Sequence, residues 1–418
     1  MNKGAERQKQ IYLNGFMGNR ASVPIDWNKL EQKAKTIMSP EAFAYIAGGA
    51  GLESTMASNR SAFEKYKIVP RMLRDVSTRD VSIELFGQRL SSPLLLAPIG
   101  VLQMVHDQAD LAVGKAAAEL EMPFIFSNQA SKPMEEVAAA MGNSMRWMQL
   151  YWSKSNELVE SLAQRAERCG CSALVITLDT TLLGWRTRDL DIAYLPFLQG
   201  KGIAQYTSDP VFQRLVDEKS DAIKRKITAH SLTGLIQMIK NYPGNGFLAK
   251  LSSGRAVKAV QKFIDIYSNP ALTWSDLKFL RDRTKLPILL KGINHPEDAR
   301  RAIDHGMNGI IISNHGGRQV DGAISTLDAL PGIVDVVRKE VPVLMDSGIR
   351  GGADIFKALA LGATAVCIGR PYVYGLTIGG QQGVVDVMNN LLAEFDLTMG
   401  LAGCKDISEI TSDHLIKA

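Results

Sequence analysis

From Pro93 onward the chain repeats one unit eight times: a short apolar run, a polar or glycine-bearing tip, then a helical stretch. The runs are Leu94 to Ala97, Phe124 to Phe126, Arg146 to Leu150, Ala173 to Leu178, Ile288 to Leu290, Gly309 to Ile312, Val343 to Met345 and Ala365 to Ile368. Strands that alternate with helices of roughly 10–15 residues pair in parallel, because a parallel neighbour can be reached only by a crossover. Eight such units predict an α/β chain folded as a (β/α)8 TIM barrel. All eight tips then ring one mouth, at the carboxyl ends of the strands.

Those tips are Pro98-Ile99-Gly100, Ser127-Asn128-Gln129, Gln149 with Tyr151, Thr177 with Asp179, Lys291, Ser313 with His315, Asp346-Ser347-Gly348, and Gly369-Arg370. The most specific lies in Ser313-Asn314-His315-Gly316-Gly317-Arg318-Gln319. Its glycine pair lets the backbone fold back, so that His315 and Arg318 face one small anion. The histidine would move a proton, and the planar guanidinium would hold both oxygens of a carboxylate.

The loops after the seventh and eighth strands, Asp346 to Gly352 and Gly369-Arg370-Pro371, occupy the places where barrels bind phosphate, on backbone N–H groups and a helix N-terminus. Arg350 and Arg370 would add charge there. Lys291, emerging alone from Ile288-Leu289-Leu290, has two readings: a Schiff-base nucleophile, or a fixed cation that offsets negative charge on a cofactor. The second fits better beside Ser127, Gln149 and Thr177, which offer the hydrogen bonds an isoalloxazine edge needs.

The chain divides into residues 1–92, a helical segment with the barrel floor, and residues 93–418, the barrel. Helices are expected from Ile25 to Ile37 and from the cap Ser39-Pro40-Glu41, ending at Gly48-Gly49, and a strand pair from Val81 to Leu90. One connection breaks the rhythm: residues 180–273 form an insertion after strand four, where roughly 2 to 6 residues are usual. It contains amphipathic pieces at Asp209 to Lys226 and Gly254 to Ile266, and it reads as a lid over the mouth. The net charge of +5 is concentrated here, with 11 Lys/Arg against 4 Asp/Glu between Lys201 and Lys262. No nucleic-acid motif accompanies that excess, and no apolar run is long enough to span a membrane. The N-terminus lacks the apolar core of a secretory signal, which predicts a cytoplasmic protein. The four cysteines, Cys169, Cys171, Cys367 and Cys404, form neither a metal-ligand nor a disulfide pattern, so no metal is expected.

With SNHGGRQ, LLKGI, DSGIRGGADIFKALALGA and IGRPYVYG in order, the chain resembles the FMN-dependent 2-hydroxy-acid dehydrogenases and oxidases from Tyr45 to the end. Within that family Ala47-Gly48-Gly49, Gly184-Trp185-Arg186 and the long insertion look most like lactate 2-monooxygenase. The resemblance implies FMN in the barrel mouth. Lys291 would stand by the flavin N1 and O2, with Ser127, Gln149, Thr177 and Pro98-Ile99-Gly100 along the ring. Arg350, Gly369 and Arg370 would take the phosphate; the expected cofactor set also includes Ser313, Asp346, Ser347, Gly348 and Ile349. Tyr45, Tyr151, Arg186 and Arg318 would bind substrate, His315 would be the base, and Asp179 would stabilise its imidazolium. Two positions depart from the family pattern: Gln129 stands where relatives often carry a tryptophan or an apolar residue, and Thr181 replaces a frequent proline.

The implied reaction is oxidation of a small L-2-hydroxy acid, lactate favoured, by dioxygen. If both products are retained under the lid, peroxide decarboxylates the 2-oxo acid, giving acetate, carbon dioxide and water from lactate; Gly100, lacking a β-carbon, would leave room for that trapped product. Free 2-oxo acid and hydrogen peroxide are the alternative. A homo-oligomer, tetramer or octamer, is expected by the same resemblance. The rival readings are a Schiff-base lyase on Lys291, a phosphate-ligand sensor on a catalytically silent barrel, and a membrane-associated dehydrogenase.

Overall fold

All eight apolar runs are strands in the computed structural model, which describes residues 3–218, 229–244 and 246–418. They are β1 (Leu94–Leu96), β2 (Phe124–Phe126), β3 (Arg146–Tyr151), β4 (Leu174–Thr177), β5 (Ile288–Lys291), β6 (Gly309–Ile312), β7 (Val343–Met345) and β8 (Ala365–Ile368). They close into a parallel barrel in chain order, with β8 paired to β1. Four strands keep the bounds set by apolarity. β3 and β5 each run one residue further, because ladder pairing continues past the last apolar residue: Tyr151 pairs with Thr177, and Thr177 with Lys291. β1 and β4 are shorter than expected at their ends.

Strand side chains alternate between two cores. Outward residues such as Leu96, Phe126, Leu150, Ile176, Leu290 and Ile312 pack with the surrounding helices. Inward residues Leu95, Ile125, Trp147, Val175, Leu289, Ile311, Leu344 and Cys367 fill the barrel. Two residues further along the same inward parity come Ala97, Ser127, Gln149, Thr177, Lys291, Ser313, Asp346 and Gly369. The barrel interior is therefore apolar below and polar at the mouth because the sequence changes character while the pleat does not.

The floor is an antiparallel hairpin, Ile83–Leu85 with Gln88–Leu90, whose Leu85 and Leu90 join the inward core. Helix Trp27–Ile37 starts two residues later than expected, where Asp26 accepts from the Lys29 N–H at 2.9 Å. Helix Pro40–Ala47 opens at the Ser39 cap and stops before Gly48. A further helix, Lys3–Phe16, has no counterpart in the sequence reading. Its docking onto the C-terminal helix Arg370–Leu401 is polar: Gly4 N–H donates to Asp396 at 2.8 Å and Arg7 pairs with Asp386 at 3.0 Å. Its Tyr12, Leu13 and Phe16 are exposed, so no apolar stripe marks it.

Between β4 and β5 the described residues form short helices, including Thr187–Asp191, Pro210–Asp217, Ala229–Asn241 and Arg255–Ile266. The buried Arg165 ties this insertion to the barrel, pairing with Glu135 at 2.9 Å and with the fully buried Asp209 at 3.1 Å. Asp209 also caps helix Pro210–Asp217. The expected piece from Asp209 to Lys226 is helical to Asp217, and its part from residue 219 lies outside the described residues, as do Lys219, Lys224, Arg225 and Lys226. The described basic residues Arg214, Arg255 and Lys262 pair with Glu157, Asp217 and Glu218.

Trp147, 1% exposed, is the largest side chain in the barrel and packs against Phe86 with ring centroids 5.7 Å apart. Replacing it with Ala should cost about 3–5 kcal/mol, read as a lower thermal midpoint with the parent's secondary structure retained below it.

Candidate active site

Lys291 stands at the end of β5 on the inward parity, 4% exposed. Its ammonium donates to Ser313 Oγ at 2.8 Å and lies 3.4 Å from Asp346 and 3.9 Å from Asp179. Burial works against the charge, but the carboxylates of Asp346 and Asp179 outweigh it and hold the group above the ordinary lysine range. A lysine so firmly protonated is a fixed cation and a poor amine nucleophile, which disfavours the Schiff-base reading.

Asp179, two residues beyond Thr177, is shared between two cations. Burial raises its pKa, yet Lys291 and His315 bring it down to about 2. Its Oδ1 lies 3.0 Å from His315 Nδ1. That contact fixes the tautomer: Nδ1–H donates to the carboxylate, and Nε2 is left as an acceptor. Burial, partly countered by Asp179, lowers the His315 pKa below its ordinary value, so the imidazole is neutral near pH 7. Thr180 completes this corner, its hydroxyl 3.0 Å from Asp179 Oδ1 and 3.3 Å from His315 Nδ1.

His315 itself has φ +58°, a left-handed backbone rarely adopted outside glycine. Two hydroxyls hold it there: His315 N–H donates to Ser313 Oγ, and Gly316 N–H to Ser347 Oγ, both at 3.0 Å. The following glycines are needed for close approach. A Cβ on Gly316 would sit 2.7 Å from Arg370 Nη1, and one on Gly317 2.6 Å from Met56 Cγ.

Arg318 turns back over the Tyr45 ring, 4.9 Å from its centroid, and donates to the carbonyls of Tyr45 and Gly48. Arg186, brought in by the insertion, donates to the Arg318 carbonyl at 3.2 Å and to Gln319 Oε1 at 3.0 Å. Each keeps one terminal nitrogen, Arg318 Nη2 and Arg186 Nη1, without a partner among the described residues. Burial and the charge of Arg186 push Arg318 below the ordinary arginine range. Two desolvated, mutually repelling guanidinium groups with spare donors make a site for a small anion. Tyr45 and Tyr151 lie on the same wall, both buried.

The cavity holding these groups spans about 1010 Å³ of space not filled by atoms, open solvent at its mouth included. Its wall brings together Tyr45, Pro98, Ile99, Gly100, Tyr151, Arg186, Lys291, His315, Arg318, Ser347, Gly348, Ile349, Arg350, Gly369 and Arg370, as expected from the sequence, together with Asp346. Ser127, Gln149, Thr177, Asp179 and Ser313 stand behind that wall. The wall also includes residues the sequence reading missed: Thr180, and Leu183, Phe197 and Tyr267 of the insertion. Thr180 was signalled by its place in a polar tip, whereas Phe197 and Tyr267 lie in a stretch with no motif.

The fold and site have counterparts among known proteins. Residues 34–417 match the family model described as FMN-dependent dehydrogenase. The chain belongs to that family. It is 43% identical to an L-lactate oxidase of Lysinibacillus sphaericus (strain C3-41) over 398 residues, covering 95% of this chain and 94% of that one. An FMN-dependent alpha-hydroxy acid dehydrogenase of Penicillium citrinum is 41% identical, with 97% and 94% covered. A crystal structure of mandelate oxidase with (S)-4-hydroxymandelic acid superposes with a TM-score of 0.77 at 34% identity, covering 94% of this chain and 98% of that one.

The FMN that this family uses fits the residues present. Gln149 Nε2 and Thr177 Oγ1 are buried without a hydrogen-bond partner, which is costly in a finished protein interior and suits groups awaiting a polar ring edge. Lys291, paired across the ladder with Thr177, supplies a cation on the cavity wall. At the phosphate end the two expected helix N-termini differ. The N–H groups of Arg350 and Gly351 already donate to Asp354, at 2.8 and 3.3 Å. Helix Arg370–Leu401 opens with no side-chain cap; Pro371 has no N–H and the Tyr372 N–H donates to the Gly369 carbonyl at 3.1 Å, so in its first turn the Arg370 N–H is the one backbone donor without a partner among the described residues. The Arg350 guanidinium stacks on Trp27 at 4.0 Å, while Arg370 also ties Ile46, Gly48 and Gly316 together through their carbonyls.

One detail of the sequence reading is corrected. The space where Gly100 lacks a β-carbon is not open to product: a Cβ there would meet Gln129 Cβ at 2.8 Å. Gly100 is required for the close packing of the β1 and β2 tips.

Two outcomes follow. Arg350→Ala should release FMN on dialysis with little change in melting of the apoprotein, read from flavin absorbance per protein. Asp179→Asn removes the charge that raises the His315 pKa, so the acid limb of kcat/KM should move to lower pH, while the maximal rate falls by about 10²–10⁴; a pH–rate profile checks both.

Proposed function

We propose that the protein oxidises a small L-2-hydroxy acid, with lactate favoured, and passes the electrons to dioxygen. The observation that carries this reading is His315, its Nδ1 3.0 Å from Asp179, in one cavity with the spare donors of Arg186 and Arg318 and the ammonium of Lys291. The names of the relatives, an L-lactate oxidase and an alpha-hydroxy acid dehydrogenase, support the substrate class.

In this reading Arg186 and Arg318 bind the substrate carboxylate and so fix the α-carbon, which supplies proximity. Tyr45 and Tyr151 donate to the substrate oxygens; burial raises the Tyr151 pKa, so its phenol stays protonated and can donate. His315 Nε2 takes one proton, and Asp179 stabilises the imidazolium that results. Bound FMN supplies the two-electron acceptor. Lys291, held by Asp346, Asp179 and Ser313, keeps positive charge where negative charge develops. Ser313 and Asp346 act in this account by holding Lys291, and Ser347 by holding the His315 loop.

A second reading, decarboxylation of the 2-oxo product before it leaves, is favoured by the insertion, which places Leu183, Arg186, Phe197 and Tyr267 on the cavity wall. As a lid, the described residues between 180 and 273 would exclude water and retain both products.

Anaerobic L-lactate should bleach the flavin of the purified holoenzyme, and His315→Ala should stay yellow with lactate. Rapid bleaching of that variant would remove the histidine from the reaction. Under air, acetate from lactate marks the retained-product route and pyruvate with hydrogen peroxide the simple oxidase.

A further inference from the structure

Gln319 closes the SNHGGRQ stretch and does not line the cavity, yet its side-chain amide, like that of Asn314 earlier in the stretch, is fully used. A primary carboxamide has two N–H donors and two acceptor positions on oxygen. Here all four are taken. Nε2 donates to the carbonyl of Asp179 at 2.7 Å and to that of Leu182 at 2.8 Å. Oε1 accepts from Arg186 Nη2 at 3.0 Å and from the Gly184 N–H at 3.4 Å.

These partners belong to one continuous segment, residues 179–186, which leaves β4 and enters the insertion. At its start stands Asp179, whose carboxylate meets His315 and Lys291; at its end stands Arg186, whose guanidinium faces the cavity. Nothing in a segment of this length fixes the distance between those two groups, because a loop of eight residues has many conformations. The segment is closely applied to the Gln319 loop: a Cβ on Gly184 would lie 2.4 Å from the Arg318 carbonyl and 2.8 Å from Gln319 Cα. The Arg186 Nε–H also donates to that same Arg318 carbonyl.

We infer that Gln319 is a positioning residue that locks the carboxylate-binding Arg186 and the base-supporting Asp179 into one rigid unit with the His315 loop. It touches no reacting atom. It sets the separation between the point where a substrate carboxylate is held and the point where a proton is taken, and that separation decides whether a bound acid presents its α-carbon to the base. The inference rests on the proposed roles of Arg186 and His315.

The test is a double-mutant cycle on the FMN-loaded enzyme with L-lactate. Gln319→Leu removes all four hydrogen bonds at nearly constant volume, and its expected effect is a rise in KM of about 10-fold to 100-fold, the range for losing a hydrogen bond to a charged group, together with a shifted acid limb of kcat/KM. Arg186→Ala alone should raise KM further. In the Arg186→Ala background, Gln319→Leu should then add less than threefold to KM, because the group it positioned is gone. An equal factor in both backgrounds would overturn the inference, as would a loss confined to flavin content and melting temperature. Should Arg186→Ala leave KM unchanged, the carboxylate assignment fails by itself, independently of Gln319. Gln319→Glu covers the case of a Leu variant that does not fold. Its carboxylate can only accept, and it faces two carbonyl oxygens, so a new fall of kcat/KM with rising pH is expected as that carboxyl ionises. A pH profile parallel to the parent's would count against the inference.

Discussion

A lysine ammonium buried inside a β-barrel is tolerable only if its charge is met, and around Lys291 that requirement organises the whole mouth. An isolated cation there would lose its proton. Asp179 from the tip after β4 and Asp346 from the tip after β7 supply the compensating charge, and Ser313 from the tip after β6 accepts a hydrogen bond. Each of these partners then acts a second time: Asp179 on His315, Asp346 on the Ser347 hydroxyl, and Ser313 on the His315 backbone. The cation is thus the common point through which four strands agree on the placement of one histidine.

This arrangement explains why barrel and site were largely legible in the chain. The strand pleat has a period of two, and on six of the eight strands the inward parity passes from Leu, Ile, Val or Trp to a polar residue without a change of register, the exceptions being Leu95 to Ala97 and Cys367 to Gly369. Ile311 to Ser313, Leu289 to Lys291 and Val175 to Thr177 are three instances. Parity is written locally, and eight repetitions leave few topologies. What was not legible depended on contacts distant in sequence. Phe197 and Tyr267 reach the cavity wall through contacts distant in sequence, among them Arg165 with Glu135 and Asp209 and the Ile266 carbonyl with Ser153 and Lys154. The helix Lys3–Phe16 docks through Gly4 and Arg7, a polar contact without periodicity. Asp354 had already taken the N–H groups of Arg350 and Gly351, which a reading of glycines alone assigns to phosphate. Gly100 was read as open space because the side chain that fills it, Gln129, comes from the next strand.

The family relationship and the geometry answer different questions. Membership in the FMN-dependent dehydrogenases fixes the cofactor and the general chemistry. The structure adds how this chain meets the demands of that chemistry: orphaned polar atoms at Gln149 and Thr177, the latter paired across the ladder with Lys291, spare donors on two arginines, and an imidazole whose free nitrogen is defined by a carboxylate. The insertion, whose Arg186 donates to the Arg318 carbonyl in the His315 loop, links the proposed carboxylate site to the proposed base.

The left-handed backbone at His315 carries a consequence for anyone altering the protein. Only glycine and, less readily, asparagine or aspartate settle into that conformation without strain, so exchanging the imidazole for a β-branched side chain would distort the turn as well as delete the proposed base. Asparagine is the substitution that separates the two effects, since it preserves the bend of the chain and discards only the proton acceptor.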